Sequence, residues 1–222
     1  TIGDVFSSIL SKNDIHTTVI KGYLLPKTVD ENTLVVTTSI SGNTEETLSV
    51  LKSSLETNAK IIAISSGGKM EEFSINQNRI KYYKINQIHS PRASLFGFLY
   101  STLNILQNLI PIKKSDVEES LSELKILQNR ISSTNLDNEN NALELAKWIK
   151  NIPIIYYPAG LQSVATRFKN SLQENAKTHI ITEDVIEACH NGIVAWEEKS
   201  SIQPILIQGK DDFEKTKERG SI

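Results

Sequence analysis

Three hydroxyl side chains, Ser39, Ser41 and Thr44, fall in the run Val35-Val36-Thr37-Thr38-Ser39-Ile40-Ser41-Gly42-Asn43-Thr44-Glu45-Glu46-Thr47. A β-branched apolar stretch ends there in a glycine-containing turn, and a helix-forming stretch follows at once. The expected unit is a buried strand that delivers the three hydroxyls to a helix N-terminus, where unpaired N–H groups and the helix dipole favour an anion. With no lysine or metal-binding carboxylate among the hydroxyls, the pattern suits a compact phosphate monoester, such as a sugar phosphate, better than a nucleotide–magnesium complex. An ordinary capped βα turn draws on the same residue types, because Ser, Thr and Asn are favoured N-caps.

Three ionisable residues have a context that suits proton or charge chemistry. Arg92 follows Pro91 at the start of an apolar helix; cations are disfavoured at a helix start, which points to a local anion, and its donors can serve an oxygen developing negative charge. Glu174 lies near the C-terminal end of a long helix, where the negative end of the dipole favours proton uptake by a carboxylate. His190, between Cys189 and Asn191, carries an imidazole that takes and gives protons near neutral pH. A surface arginine, a solvated glutamate and a structural histidine are the plain alternatives. The Cys189-His190 pair is not read as a thiol nucleophile, since sequence neighbours point apart; Cys189 and the tryptophans Trp148 and Trp196 are expected in the core. Glu183, Asp184 and Glu187 form an acidic cluster ahead of His190. Gly67-Gly68-Lys69 lacks Walker A spacing and reads as tight backbone turning.

The elements that must position these residues alternate between strand-like and helix-like runs, which predicts an α/β fold with mainly parallel sheets. Strands are expected at 17–20, 34–38, 60–65, 80–85, 152–157 and 204–207. Helices are expected at 4–10, 43–57, from Pro91 toward 110, 116–131, up to 150, 161–176 and from 211 onward. A polar stretch rich in Ser, Asn and Asp divides the pattern, giving a first domain over 1–132, a linker at 133–141 and a second domain over 142–222.

Composition narrows the classes. The 222 residues carry 24 basic and 26 acidic side chains, a formal charge of −2 with mixed signs, so neither a nucleic-acid nor a membrane surface is expected. The apolar segment 93–110 has Leu95, Leu99, Leu103 and Leu106 at helical spacing and reads as a packed amphipathic helix rather than a membrane span. One cysteine allows no internal disulfide and fits a reducing, cytoplasmic setting. The scattered histidines 16, 89, 179 and 190 show no metal-site spacing, so no metal and no cofactor is expected.

The S-x-S-G-N-T-x-E-T pattern of residues 39–47 resembles the phosphate loop of the SIS (sugar isomerase) fold. Four further segments occur in order: 21–26 (Lys-Gly-Tyr-Leu-Leu-Pro), 90–95 (Ser-Pro-Arg-Ala-Ser-Leu), 173–177 (Gln-Glu-Asn-Ala-Lys) and 189–196 (Cys-His-Asn-Gly-Ile-Val-Ala-Trp). Together they are similar to the bifunctional phosphoglucose/phosphomannose isomerase family. The resemblance implies two SIS-type three-layer α/β/α subdomains, both incomplete at the chain ends. It implies a homodimer acting on a sugar 6-phosphate, with Ser39, Ser41 and Thr44 holding the phosphate and Glu174 as the base. Arg92 would face the enediolate, and His190, contributed across the subunit interface, would open the ring.

Proton transfer through an enediolate, with rotation inside that intermediate, would let both glucose and mannose 6-phosphate react without a metal. The family's glycine-rich loop after the first strand is expected upstream of Thr1, and a further strand and helix beyond Ile222. Gly192 stands where the family has glutamate, and Ile40 where it has tyrosine. A non-catalytic sugar-phosphate sensor and another SIS isomerase are the alternative readings.

Overall fold

The structure is a computed structural model describing residues 2–11, 13–137 and 139–219. Helix α1 (Ile2–Leu10) opens the chain. The described residues form two compact units, one of residues 16–110 and one of residues 3–15 together with 111–219.

The first unit is a run of parallel βα crossovers. Strand β1 (Leu34–Ser39), helix α2 (Glu45–Ser54), strand β2 (Lys60–Ser65), helix α3 (Gly68–Ser74) and strand β3 (Ile80–Lys84) give a three-stranded sheet in the order β1-β2-β3. The register is unbroken, from Leu34 opposite Lys60 to Ser39 opposite Ser65. Parallel strands covered by crossover helices read as continuous apolar runs, and β2 is buried along its whole length after Lys60. Leu48 and Leu51 of α2, Met70 of α3, Ile61 and Ala63 of β2 and Ile80 of β3 form the core, with Leu55, Phe73 and Tyr82 packed against it. After β3 the chain makes a 3₁₀ turn (Pro91–Ala93) and helix α4 (Leu95–Ile105). The continuous helix expected from Pro91 to 110 is therefore shorter and broken at Ser94, whose hydroxyl donates to the carbonyls of His89 and Ser90.

The second unit contains α5 (Lys114–Arg130), α6 (Asn141–Trp148), β4 (Pro153–Tyr157), α7 (Gln162–Ala176), β5 (Ile181–Asp184), α8 (Val185–Ala188), a 3₁₀ segment (Gly192–Glu197), β6 (Gln203–Leu206) and α9 (Glu214–Arg219). Its sheet is again parallel, in the order β5-β4-β6. Ile155, Ala165 and Ile180 are its buried centre, with Phe168, Leu172 and Ile205 against them. The Ser8 hydroxyl donates to that of Ser163 at 3.2 Å, tying α1 to the start of α7.

Four expectations are corrected. Residues 17–20 form no strand, and β5 occupies a stretch where none was expected. Cys189 is half-buried rather than in the core. Trp148 and Trp196 are 46% and 39% exposed rather than core residues; the Trp196 indole N–H donates to the Tyr156 hydroxyl at 3.1 Å, which gives its polar edge a partner near the surface. Among the described residues no helix is long and apolar enough to cross a membrane.

Candidate functional site

The turn between β1 and α2 gathers the three expected hydroxyls. Ser39, the last residue of β1, is buried, and its hydroxyl is 2.8 Å from that of Thr44 while accepting the Gly42 N–H at 3.1 Å. The Ser41 hydroxyl is exposed and accepts the Asn43 N–H at 3.2 Å. Thr44 is the N-cap of α2, yet its side chain caps no helix amide, because it is turned to Ser39 instead. A helix start whose cap residue leaves the first amides uncovered is suited to an anion. Gly42 adopts φ +70°, a conformation that glycine reaches without Cβ strain.

Two carboxylates in the first turn of α2 would oppose an anion, and each has a partner. Glu45 accepts from the Lys69 ammonium at 2.9 Å, a contact that holds its carboxyl below the usual glutamate range. Glu46 accepts from the Tyr23 hydroxyl at 3.1 Å, and that hydrogen bond raises the phenol's pKa.

The turn after β2, residues 65–69, lies directly against the hydroxyl turn. Ser66 donates its N–H to the Ile40 carbonyl at 3.0 Å, and Met70 donates to the Gly42 carbonyl at 2.9 Å. The Asn43 side chain accepts the Lys69 N–H at 3.1 Å and donates to the Ser41 carbonyl at 3.2 Å. The backbones interlock: a Cβ on Gly42 would sit 1.8 Å from the Gly67 carbonyl oxygen, and one on Gly68 would sit 2.5 Å from that of Ser41. Glycine is therefore required at 42 and 68 by space as well as by φ. In their own stretch of sequence Gly67-Gly68 show tight turning alone, with no visible link to the hydroxyl turn. The signal was present: strands consecutive in a parallel sheet end their βα turns side by side.

The other expected site residues are distributed over both units. Arg92 sits in the 3₁₀ turn ahead of α4, exposed, in the same unit as the hydroxyl turn. Glu174 lies in the last turn of α7 and is exposed; its carbonyl accepts from the Lys177 ammonium at 2.7 Å. His190 follows α8, with its backbone N–H donating to the Glu187 carbonyl at 2.9 Å, while Asn191 donates to the Glu187 carboxylate at 2.7 Å. Helix α7 runs back from the end of β4 to the start of β5. Glu174, twelve residues into it, therefore lies about 18 Å along the helix axis from Gln162. His190 instead leaves from the far end of β5. Within this unit, then, Glu174 and His190 belong to opposite ends of the sheet. The acidic cluster has a structural use: Asp184 caps α8 by accepting from the N–H groups of Ile186 and Glu187.

Residues 138–222 match the bacterial phospho-glucose isomerase C-terminal SIS domain. The chain is 36% identical over 200 residues to a bifunctional phosphoglucose/phosphomannose isomerase of Caldicellulosiruptor bescii, covering 87% of this chain and 58% of that protein. It is 34% identical over 189 residues to the protein of the same name from Thermoplasma acidophilum, covering 85% and 56%. It is also 32% identical over 187 residues to a D-glucosamine-6-phosphate 4-epimerase of Sulfolobus acidocaldarius, covering 81% and 56%. Among solved structures, the C-terminal domain of glucosamine-fructose-6-phosphate aminotransferase from Francisella tularensis aligns over 99% of this chain and 64% of its own. The TM-score there is 0.67 at 16% identity, a likeness of fold. The chain thus spans 56–58% of the length of these relatives. Hydroxyl turn, parallel sheets and relatives agree: the chain is a SIS-fold relative of the bifunctional phosphoglucose/phosphomannose isomerase family.

Proposed function

We propose that the protein is an aldose–ketose isomerase that interconverts glucose 6-phosphate, and mannose 6-phosphate as well, with fructose 6-phosphate. The observation that carries the reading is the hydroxyl turn at the uncapped start of α2, an arrangement suited to a phosphate monoester. The bifunctional isomerases among the relatives support the reaction class. In this reading Ser41 and Thr44 meet the phosphate and Ser39 sets the turn. His190 returns a proton to the ring oxygen as the sugar opens. Glu174 then takes the C2 proton and gives it to C1, while Arg92 balances the charge on the enediolate oxygens.

The separation of Glu174 from His190 within one unit fits a homodimer in which His190 arrives from the neighbouring subunit. The start of the family match at residue 138 fits a division into domains at 1–132 and 142–222 with a linker at 133–141. The single cysteine fits a cytoplasmic location.

A coupled assay with chelator present, following fructose 6-phosphate from each substrate separately, tests the proposal. Turnover of both supports it; turnover of neither, with sugar phosphate still bound, would identify a sensor instead. The relationship to the 4-epimerase favours a second reading, an epimerase acting at another carbon of an amino sugar phosphate, and direct product analysis with glucosamine 6-phosphate separates the two.

A further inference from the structure

We propose that the turn after β2, residues 65–69, is a clamp that sets the anion-binding shape of the neighbouring hydroxyl turn, with Asn43 as the positioning residue that couples the two. The proposal rests on reading the hydroxyl turn as a phosphate seat.

Every carbonyl from Ile40 to Gly42 is held by a donor: Ile40 by the Ser66 N–H and hydroxyl, Ser41 by the Asn43 amide, and Gly42 by the Met70 N–H. In a trans peptide the N–H points away from its own carbonyl. Pinning these three carbonyls therefore fixes the directions of the N–H groups of Ser41, Gly42 and Asn43. It also turns the turn's partial negative charges toward the clamp, so that they do not face a bound anion.

Asn43 uses both ends of its amide, one on each turn: Oδ1 accepts from Lys69 at 3.1 Å, and Nδ2 donates to Ser41 at 3.2 Å. No other residue type of that size offers an acceptor and a donor from one planar group. The clamp is itself anchored. Ser65 is fully buried, its hydroxyl lies 2.9 Å from both the Gly67 carbonyl and the Tyr82 hydroxyl, and it accepts the Gly67 N–H at 3.2 Å. Gly68 admits the Ser41 carbonyl where a Cβ would stand. Lys69 completes the device by occupying the Glu45 carboxylate. With 64% and 66% side-chain exposure that pair adds little to stability, and its effect falls on the electrostatics of the helix start.

The test compares the unaltered protein with Asn43→Ala, Asn43→Asp and Gly68→Ala. It measures the Kd of inorganic phosphate by calorimetry, and KM and kcat for glucose 6-phosphate, after circular dichroism confirms folding. Losing two neutral hydrogen bonds is expected to raise phosphate Kd and KM together by about tenfold in Asn43→Ala, with kcat at saturation falling far less. Asn43→Asp keeps an acceptor for Lys69 but faces an oxygen with an oxygen at Ser41, so it shifts in the same direction even if the alanine variant does not fold. Gly68→Ala shifts in that direction too, with every residue of the hydroxyl turn retained, because its methyl displaces the Ser41 carbonyl.

Phosphate Kd and KM within twofold of the unaltered protein in folded variants, or a loss confined to kcat, overturns the clamp. If the unaltered protein binds phosphate without turning over either sugar, the isomerase reading fails while the Kd comparison still decides the clamp. If it binds no phosphate, both fall.

Discussion

Ser39, Ser41 and Thr44 differ in what each has left to offer a ligand. Ser39 is buried and already engaged with Gly42 and Thr44, so its removal acts on the shape of the turn. The exposed Ser41 and Thr44 hydroxyls are the ones a phosphate can reach. A hydrogen bond to a charged group contributes about 1.5–3 kcal/mol. Ser41→Ala and Thr44→Val are each expected to weaken competitive inhibition by inorganic phosphate at least tenfold; unchanged inhibition constants would place the anion elsewhere.

Glu174 belongs to a different experiment. If it is the base, Glu174→Gln lowers kcat by about 10²–10⁴-fold while phosphate inhibition persists, and a variant with near-normal turnover removes it from that role. The gathering of Ser39, Ser41 and Thr44 in one turn was legible in the sequence because a βα turn brings consecutive residues together. Asn43 falls inside the same motif, but its bond to Lys69 cannot be read there, since the two lie 26 residues apart.

At the scale of elements, the pairing of β1 with β2 is what makes the site. Ser39 stands opposite Ser65, so the two strands end level and their turns meet. The runs at 34–39, 60–65 and 153–157 were readable as strands because they are apolar and bounded by turn residues. Strand β5, Ile-Thr-Glu-Asp, is short, only partly buried and half acidic, so neither period nor propensity marks it; its pairing with β4 makes it a strand. Residues 17–20 show the converse, β-branched content with no neighbour to pair with among the described strands.

Gly42→Ala probes the meeting of the turns directly. A non-glycine residue at φ +70° is expected to cost about 1–3 kcal/mol, and here the added methyl also meets the Gly67 carbonyl. Urea unfolding should show at least that loss, and a midpoint like that of the unaltered protein would mean the turns can part.

For the whole molecule, the proposed mechanism asks residues at opposite ends of one sheet to act in one site. If His190 is supplied by a neighbouring subunit, mixing Glu174→Gln with His190→Ala protein should restore activity. Each mixed dimer then has one site with both residues intact. Random exchange makes about half the dimers mixed, so recovery should approach about a quarter of the unaltered activity. No recovery after exchange, verified by mass analysis of the mixed species, would require both residues to act from the same chain.

Both tryptophans, Trp148 and Trp196, belong to the unit of residues 111–222. The unit with the hydroxyl turn has tyrosines but no tryptophan of its own. Emission excited at the red edge of the protein's absorption therefore reports on one half of the chain, and Trp196, held to Tyr156, reports on the surroundings of β4. Tyr82→Trp, in a chain whose Trp148 and Trp196 are replaced by phenylalanine, would give the silent half its own optical signal, so that each sheet could be followed separately as denaturant rises.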